Sequence, residues 1–469
     1  MNRAAAQLRR TFSALKVPNF RRFFYGQSIS LVGTWMQSVA QSWLVYSLTH
    51  SSTALGGVVA VQTLPVLLLG PYAGVIADRT DKRRLMVVLQ GLMGIQALVL
   101  GLLAILHVVT FWQVCVLALA LGLNNTFENP ARQSFVLEMV GGENVRNAVS
   151  LNSTMVNAAR AVGPAVAGII IVAAGVGVCF LLNALSFVAV VYSLVSMDKS
   201  SLQPSVPVAR GKGQLREGLK YVKHEPRIGI PLLMMGLVGT LAYEFQVSLP
   251  VLAKETFHGG AETYGFLTAF MGAGAVMGGL VTATRGKTGL RPLSIAAIVF
   301  GVAILATSVS PVLALAYGTM ALVGWGSVAF LATGNSTLQL GSDPTMRGRV
   351  MALWAVAFLG STPIGGPLIG WVIAQTNARV GLAVGGVSCL LAACLGLVAR
   401  ARLKSRRDKV GGPTELPEVP IAEVEPVPEA EELPGGATGT PVPVGKGGAA
   451  TAPVGPETAG PRLRLQGSP

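Results

Sequence analysis

The sequence predicts an all-α integral membrane protein with twelve transmembrane helices in two pseudo-symmetric six-helix bundles. Of its 469 residues, 51% are hydrophobic and 12% are charged, and the mean hydropathy is +0.58. A water-soluble globular protein is far more polar, so this composition predicts a lipid environment. Apolar stretches of about 20 residues, the length that spans a bilayer, recur along the chain. The positive charges between these stretches then indicate how many there are and how they are oriented.

Positive residues alternate from one gap to the next. Of the 33 lysines and arginines in residues 1–410, 30 lie in every second gap between apolar stretches. Lys254 and Arg379 lie in the other gaps, and Arg160 lies inside a stretch. Positive residues beside short spans stay on the cytoplasmic side. The pattern therefore predicts twelve crossings of the cytoplasmic (inner) cell membrane, with both termini in the cytoplasm.

The spans follow from the apolar stretches in chain order. They are predicted at 23–48, 54–77, 85–107, 111–127, 148–174, 176–197, 228–252, 263–284, 292–309, 311–340, 350–376 and 380–399. The basic gaps beside them are 1–22, 78–84, 128–147, 198–227, 285–291, 341–349 and the stretch from residue 400 onward. The opposite gaps are short and nearly uncharged, as expected for the outer side.

The longest internal gap divides the chain into two halves. The predicted parts are a cytoplasmic N-terminal segment (1–22), a first bundle (23–197), a cytoplasmic central loop (198–227), a second bundle (228–399), and a cytoplasmic basic stretch with a disordered tail (400–469). Gly213 to Ile228 has the composition of a basic helix on the inner membrane surface. Residues 411–469 hold 12 of the 27 prolines and 8 of the 21 acidic residues, a composition typical of disorder.

The two halves share a spacing. Arg146 precedes the pair Gly163 and Pro164 as Arg349 precedes Gly366 and Pro367, with an offset of 203 residues. We predict that both Gly-Pro pairs bend their helices. Repeated halves are common in secondary transporters, whose substrate site lies near the midplane between them.

Several function classes do not fit this chain. The basic residues form short clusters beside apolar stretches, which is unlike a nucleic-acid-binding patch. The four cysteines lie in apolar stretches and no histidine has metal-ligand spacing, so no metal site is predicted. With no cluster of catalytic groups and no nucleotide-binding motif, we expect neither an enzyme nor an ATP-driven pump. The expected partners are a small molecule and the lipid bilayer, without nucleic acid, cofactor or obligate protein partner.

One loop carries a family signature. GVIADRTDKRR (Gly74 to Arg84) resembles the loop between the second and third helices of the major facilitator superfamily, except that Asp81 stands where that loop usually has glycine. The further matches, covering about residues 15–402, are TWMQSVAQSWLVYSLT (34–49), NPARQSFVLEMV (129–140), NAVSLNS (147–153), ARAVGPAVAG (159–168) and RGRVMALW (347–354). Together they resemble the branch that contains the enterobactin exporter and the macrolide-efflux proteins.

This resemblance implies the major facilitator fold and transport by alternating access. It implies export of a siderophore-like or drug-like molecule, with a proton gradient as the energy source. Two departures weaken the analogy: the loop 284–291 lacks the aspartate, and the fourth span lacks the arginine that drug–proton antiporters of the superfamily often carry. An importer or permease of the same fold, or a membrane receptor or scaffold that transports nothing, remains an alternative.

The signature loop also implies a conformational latch. Asp78, at the cytoplasmic end of the second span, can pair with an arginine and face the positive N-terminal end of the eleventh helix. Such contacts would hold the halves together on the cytoplasmic side. The alternative is that the basic run only determines topology. The latch residues are Gly74, Asp78, Arg79, Arg83 and Arg84.

Two ionisable residues lie deep in predicted spans. At ~1.5 Å per residue, Arg160 is roughly 18 Å and Glu244 about 24 Å from the inner ends of their helices. Our hypothesis is that they face one cavity, where Glu244 exchanges protons and Arg160 binds an anionic group. The alternatives are an arginine tied to carbonyls freed by Pro164, and a solvated acid near the outer mouth.

Amide side chains within the spans are the remaining candidates. Gln37 and Gln41 lie one turn apart in the first span, Asn125 is in the fourth, and Asn157 shares a helix face with Arg160. They can supply hydrogen bonds to a substrate. The alternative is that they join one helix to another.

The predicted orientation has a direct test. Cysteines placed at His50 and His107 should react with an impermeant thiol reagent added outside intact cells, because both positions lie in gaps predicted to be outer. A cysteine at Arg210, in the central loop, should react only after permeabilisation. The opposite labelling would contradict the orientation.

Overall fold

The computed structural model describes residues 13–203 and 214–410, all within one unit spanning Met1–Pro426. Regular structure in this part of the chain is helical, which confirms the predicted all-α class. The helices are α1 (Pro18–Thr49), α2 (Ser52–Arg79), α3 (Lys82–Ile105), α4 (Phe111–Ala174), α5 (Val176–Val195), α6 (Gln214–His224), α7 (Pro226–Leu241), α8 (Phe245–Val251), α9 (Ala261–Arg285), α10 (Leu290–Ser308), α11 (Leu313–Gly341), α12 (Arg347–Leu359), α13 (Thr362–Gln375) and α14 (Ala378–Val410).

Ten segments of the described chain are long and apolar enough to cross a membrane. The predicted spans 23–48 and 111–127 lie in α1 and α4 but are not among these ten. Both carry several amide and hydroxyl side chains, which lower their hydropathy. The multi-pass membrane class is confirmed, whereas the number twelve stays a prediction.

The gap predicted at 128–147 is helical on both sides of a single kink. Within α4 only Gly141 has non-helical dihedral angles, with φ 65° and ψ 172°. Glycine adopts a positive φ without the steric cost that other residues incur. Residues 128–147 mix charged and polar side chains with a short apolar run, so hydropathy marks the end of the lipid-facing stretch and not the end of the helix.

Two spans are interrupted within the membrane region. The seventh breaks between Leu241 and Phe245, where Glu244 has φ −84° and ψ 41°. Pro250 has no N–H to donate to the carbonyl of Gln246, which loosens α8 further. The eleventh span breaks between α12 and α13, at Gly360 and Ser361. Irregular backbone at membrane depth is tolerated where protein covers it or where it lines a cavity.

The predicted Gly-Pro bends are not interruptions. The α4 helix continues through Gly163 and Pro164, and α13 continues through Gly366 and Pro367. The break in the eleventh span comes earlier, because α12 ends before Gly360. The bends themselves stay predictions, and the glycine of each pair also allows close contact with a neighbouring helix.

Glycines form a seam where the two halves meet. A Cβ placed on Gly56 in α2 would lie 2.7 Å from the carbonyl carbon of Gly366 in α13. A Cβ on Gly265 in α9 would lie 2.6 Å from the carbonyl oxygen of Pro164 in α4. Small residues let membrane helices approach this closely. The seam therefore pairs α2 with α13 and α4 with α9.

Two hydrogen bonds cross between the halves at one end of the seam. The Tyr46 hydroxyl donates to Glu255 Oε1 (2.5 Å), and the Ser52 hydroxyl donates to the Gly370 carbonyl (2.8 Å). All four residues lie near the helix ends that the charge pattern predicts to be outer. Given that orientation, the molecule is closed on its outer side.

The central loop contains the predicted basic helix, observed as α6. An ion pair joins Arg349 Nη2 to Glu217 Oε2 (2.8 Å), and the Tyr221 hydroxyl accepts from the Asp343 N–H (3.3 Å). These contacts hold α6 against the start of α12 and the residues just before it. The rest of the loop, 204–213, and the predicted disordered tail, 411–469, lie outside the described residues.

Candidate functional site

A polar pocket lies inside the first bundle, at its boundary with the second. Its empty volume is about 530 Å³, counted to the open mouth. The first five helices form the wall and α8 of the second half closes one side. The lining side chains are uncharged: Thr34, Gln37, Ser38, Gln41, Ser42, Val45, Leu55, Val58, Val59, Gln62, Met93, Leu121, Asn125, Asn183, Phe187 and Gln246.

The wall nearest α3 and α5 is a closed amide network. Gln37 Nε2 donates to Gln96 Oε1 (2.9 Å), and Asn183 Nδ2 donates to Gln37 Oε1 (2.6 Å). A Cβ placed on Gly33 would lie 2.7 Å from Ser186 Oγ, so α1 and α5 are in close contact beside the network. These amides satisfy one another and join helices, which is the structural role considered for Gln37.

A second amide pair forms the wall between α1 and α2. Gln41 Nε2 donates to Gln62 Oε1 at 2.8 Å. Gly122 of α4 lets α2 approach closely, because a Cβ there would lie 2.8 Å from the Gln62 carbonyl carbon. The contact places Gln62 at the pocket, with its amide N–H₂ group still able to donate.

The remaining wall carries amides that no protein group satisfies. Asn125 in α4 and Gln246 in α8 are half-buried, and their side chains make no hydrogen bond to any described residue. Each amide offers both donors and an acceptor. Asn125 belongs to the first half and Gln246 to the second, so a molecule in the pocket can hydrogen-bond to both halves.

The structure divides the sequence-predicted pathway residues into two groups. Gln37, Gln41 and Asn125 line the pocket, whereas Arg160, Asn157 and Glu244 do not. Asn157 instead donates to the Ser153 carbonyl of its own helix (2.9 Å).

Sequence reasoning missed three lining residues with amide side chains, namely Gln62, Asn183 and Gln246. The available signal was a polar residue within an apolar span. That signal is shared by many residues that only join helices, so it does not select these three.

Arg160 lies beside the seam rather than in the pocket. Its Cζ is 4.9 Å from the ring centroid of Trp35, a cation–π contact. Its buried Nε has no hydrogen-bond partner within residues 13–203 and 214–410. Pro164 has no N–H to donate to the Arg160 carbonyl. This carbonyl faces α9, because a Cβ placed on Gly272 would lie 2.7 Å from its oxygen. No ion pair joins Arg160 to Glu244 in this conformation.

Glu244 lies at the break in the seventh span and is only 4% exposed. Its Oε1 atom is buried and has no hydrogen-bond partner in the described part of the chain. A Cβ on Gly365 would lie 2.7 Å from Oε1, and one on Gly366 would lie 3.4 Å from Oε2. The carboxyl group is therefore enclosed by α13, next to the contact between Gly366 and Gly56 of the other half.

The latch region is described in part. The side chain of Asp78 lies outside the described residues, while Gly74 is half-buried and Arg79 is exposed near the end of α2. Arg83 donates to carbonyl groups at the C-terminal end of α5, with its Nε 2.7 Å from the Leu194 oxygen. The positive guanidinium complements the negative end of the helix dipole.

The departure from the family loop at Asp81 has a local explanation. Asp81 Oδ1 accepts from the Arg84 backbone N–H (3.0 Å) and so caps the start of α3. The side chain of Arg84 also contacts Asp81, at 3.4 Å, but both are exposed and the pair contributes little. Arg83 and Arg84 are thus engaged within the first half in this conformation.

The part of the chain described here contains no group of three or more histidine, cysteine, aspartate or glutamate side chains that could hold a metal ion. The polar groups of the pocket are amides and hydroxyls, which bind organic molecules through hydrogen bonds.

Two relatives are informative about the sequence. The enterobactin exporter EntS of Escherichia coli O1:K1 / APEC is 25% identical over 395 residues, covering 83% of this chain and 94% of the relative. The staphyloferrin A transporter of Staphylococcus aureus (strain NCTC 8325 / PS 47) is 26% identical over 263 residues, covering 55% of this chain and 66% of the relative. The second match thus spans slightly less than two thirds of that relative.

Solved structures match the fold. A bacterial homologue of the human lysosomal transporter Spinster, inward-facing and occupied, superposes with a TM-score of 0.64 at 13% identity, covering 82% of this chain and 97% of that one. The nucleoside transporter NupG superposes with a TM-score of 0.61 at 12% identity, covering 81% and 97%. These likenesses support the two-bundle arrangement expected from the sequence.

The family model described as transmembrane secretion effector matches residues 9–424, nearly the whole helical part of the chain. The signature loop, the multi-pass helical fold and the relatives agree with that match. The chain belongs to the transmembrane secretion effector family of the major facilitator superfamily.

Proposed function

We propose that this protein exports a small organic molecule, siderophore-like or drug-like, across the cytoplasmic membrane by alternating access. The proposal rests mainly on one observation. The uncharged pocket is bounded by both halves, and the glycine seam closes the molecule beside it. A carrier needs a site that both halves contact, so that rocking one half against the other exposes the site to one side of the membrane at a time.

Proton exchange is the proposed energy source. Glu244 is buried where the two halves meet, and its Oε1 has no hydrogen-bond partner among the described residues. A charged carboxylate is costly in such surroundings and a protonated one is not, so closing the seam favours a bound proton. If the group loses its proton when the seam opens, proton movement is coupled to the change of conformation.

The names of the relatives support a substrate class, and one of them supports a direction. One is named an exporter of enterobactin and the other a transporter of staphyloferrin A. We propose the same direction here, with both termini in the cytoplasm as the basic gaps indicate. The chain acts in this proposal as a carrier and not as an enzyme.

Transport can be measured directly in inside-out membrane vesicles. Vesicles that contain the protein should accumulate a siderophore or antibiotic from a panel when their lumen is made acidic, and matched vesicles without it should not. A collapsed pH gradient should abolish the accumulation. If intact cells instead gain the compound when the protein is present, the protein is an importer, and if no compound moves in either system the carrier proposal fails.

The latch gives a prediction on the cytoplasmic side. Asp78→Asn should destabilise the outward-open state by about 1–3 kcal/mol, because the amide loses the charge-assisted contacts of the carboxylate. Transport should fall while the amount of inserted protein is unchanged. Asp81→Asn is the matched control, since asparagine caps a helix as well as aspartate does. Equal transport by the Asp78 and Asp81 variants would contradict the latch.

A further inference from the structure

The pocket has a chemical character that narrows the transported molecule. Every lining side chain is uncharged, and amide and hydroxyl groups make up much of its surface. Neither of the two deepest charged side chains lines the pocket, because Arg160 lies against Trp35 and Glu244 is enclosed by α13. An anionic group in the pocket would lose its hydration without meeting a positive side chain, which is costly.

The hydrogen-bonding capacity of the wall is unevenly used. Gln37, Gln96 and Asn183 satisfy one another, and Gln41 donates to Gln62. Asn125 and Gln246 are different, since their side-chain amides bond to no described protein group. Amides left unpaired toward a cavity are available to a bound molecule, and each can donate and accept.

These two amides come from different halves of the carrier. Asn125 lies in α4, and Gln246 lies in the first turn of α8, two residues after Glu244. A molecule that hydrogen-bonds to both would link the first half to the interrupted seventh span.

We infer that the pocket binds an uncharged, hydrogen-bonding part of the transported molecule, such as an aryl amide or a polyol, held between Asn125 and Gln246. This inference rests on the proposed transport function and adds the substrate class and the residues that select it. A molecule bound to Gln246 thereby acts on the conformation of the helix break that carries Glu244. Carboxylate-rich molecules are disfavoured in this site.

Binding can be tested separately from transport with the full-length protein in lipid nanodiscs. The probes are 3,4-dihydroxybenzamide and 3,4-dihydroxybenzoate, which share a ring and differ in charge at neutral pH. Saturation-transfer NMR detects weak binding of fragments this small. The amide should bind at least about tenfold more tightly than the acid, because the acid would have to be desolvated as an anion.

Substitutions then locate the site. Asn125→Ala and Gln246→Leu should each weaken amide binding by about threefold to tenfold, the effect of losing one hydrogen bond. Asn124→Ala is the matched control, since Asn124 donates to the Ala120 carbonyl of its own helix and does not line the pocket. Gln246→Asn, which keeps the amide on a shorter side chain, should bind better than Gln246→Leu.

Three results would overturn the inference. One is absence of amide binding, and another is equal or tighter binding of the acid, above all if Arg160→Ala abolishes it. The third is amide binding that neither Asn125→Ala nor Gln246→Leu changes. None of these is a failure of transport itself, which the vesicle experiment measures independently of where and what the pocket binds.

Discussion

Glu244→Gln should separate substrate movement from the proton gradient. Glutamine resembles the protonated acid in size and charge and cannot exchange a proton. In vesicles with an acidic lumen, the variant should show less than about a tenth of the proton-driven accumulation of the unmodified protein. A tenfold lower accumulation corresponds to a loss of ~1.4 kcal/mol of the free energy that drives it. Exchange of labelled for unlabelled substrate, with no pH gradient imposed, should continue because the seam can still close.

The matched control is Glu262→Gln, at the start of α9, which the charge pattern predicts to be outer. Glu262 Oε1 accepts from the Gly260 N–H (2.9 Å), a bond that glutamine can keep, so this variant removes an outer charge without disturbing the local backbone. Proton-driven accumulation should survive in the control. If Glu244→Gln vesicles still accumulate substrate against a gradient, Glu244 is not the coupling residue.

The sequence predicted the membrane fold well because charge and hydropathy report directly on the bilayer. It was less informative where helices do not follow hydropathy. α1 carries Gln37 and Gln41 and still runs unbroken from Pro18 to Thr49, since its polar side chains are buried against other helices. Residues on both sides of Gly141 stay helical although they lose their apolar character, so the apolar stretches underestimate helix length.

The interruptions were harder to place than the helices. Gly366 and Pro367 predict a bend in the eleventh span, and the structure adds a break at Gly360 and Ser361 that the sequence did not indicate. A glycine serves either to relax the backbone or to admit a neighbouring helix, and the sequence alone does not distinguish the two. Only the packing of α2 against α13 shows that Gly366 has the second role.

The candidate site was predicted in part for a related reason. Gln37, Gln41 and Asn125 are polar residues in apolar spans, and the structure brings them to one pocket. Gln246 carries the same signal, but its relation to Asn125 depends on how the halves meet. Arg160 and Glu244 were joined in the hypothesis by their depth, whereas the structure shows each with separate neighbours on the seam.

Of two adjacent glycines in α2, only Gly56 contacts the other half at the seam. A Cβ on Gly56 would lie 2.9 Å from the Cα of Pro367 and closer still to the Gly366 backbone, whereas a Cβ on Gly57 would meet no atom within 4 Å. Backbone atoms cannot move aside as a flexible side chain can. The two positions share a helix and a residue type, so their alanine variants differ mainly in the contact with the other half.

Gly56→Ala should therefore prevent closure of the outer seam, while Gly57→Ala should behave like the unmodified protein. Overpacking costs typically about 1–3 kcal/mol, and the cost falls only on the closed state, because opening separates α2 from α13. The equilibrium should shift roughly tenfold or more toward the outward-open state, at ~1.4 kcal/mol for each factor of ten.

Spin labels on cysteines at Ser47 and Gln375, in a background without reactive native cysteines, should report a longer distance across the outer mouth in Gly56→Ala alone. Transport should fall in the same variant with no loss of inserted protein. If the two variants give the same label distance and the same transport, the seam between Gly56 and Gly366 is not the outer gate.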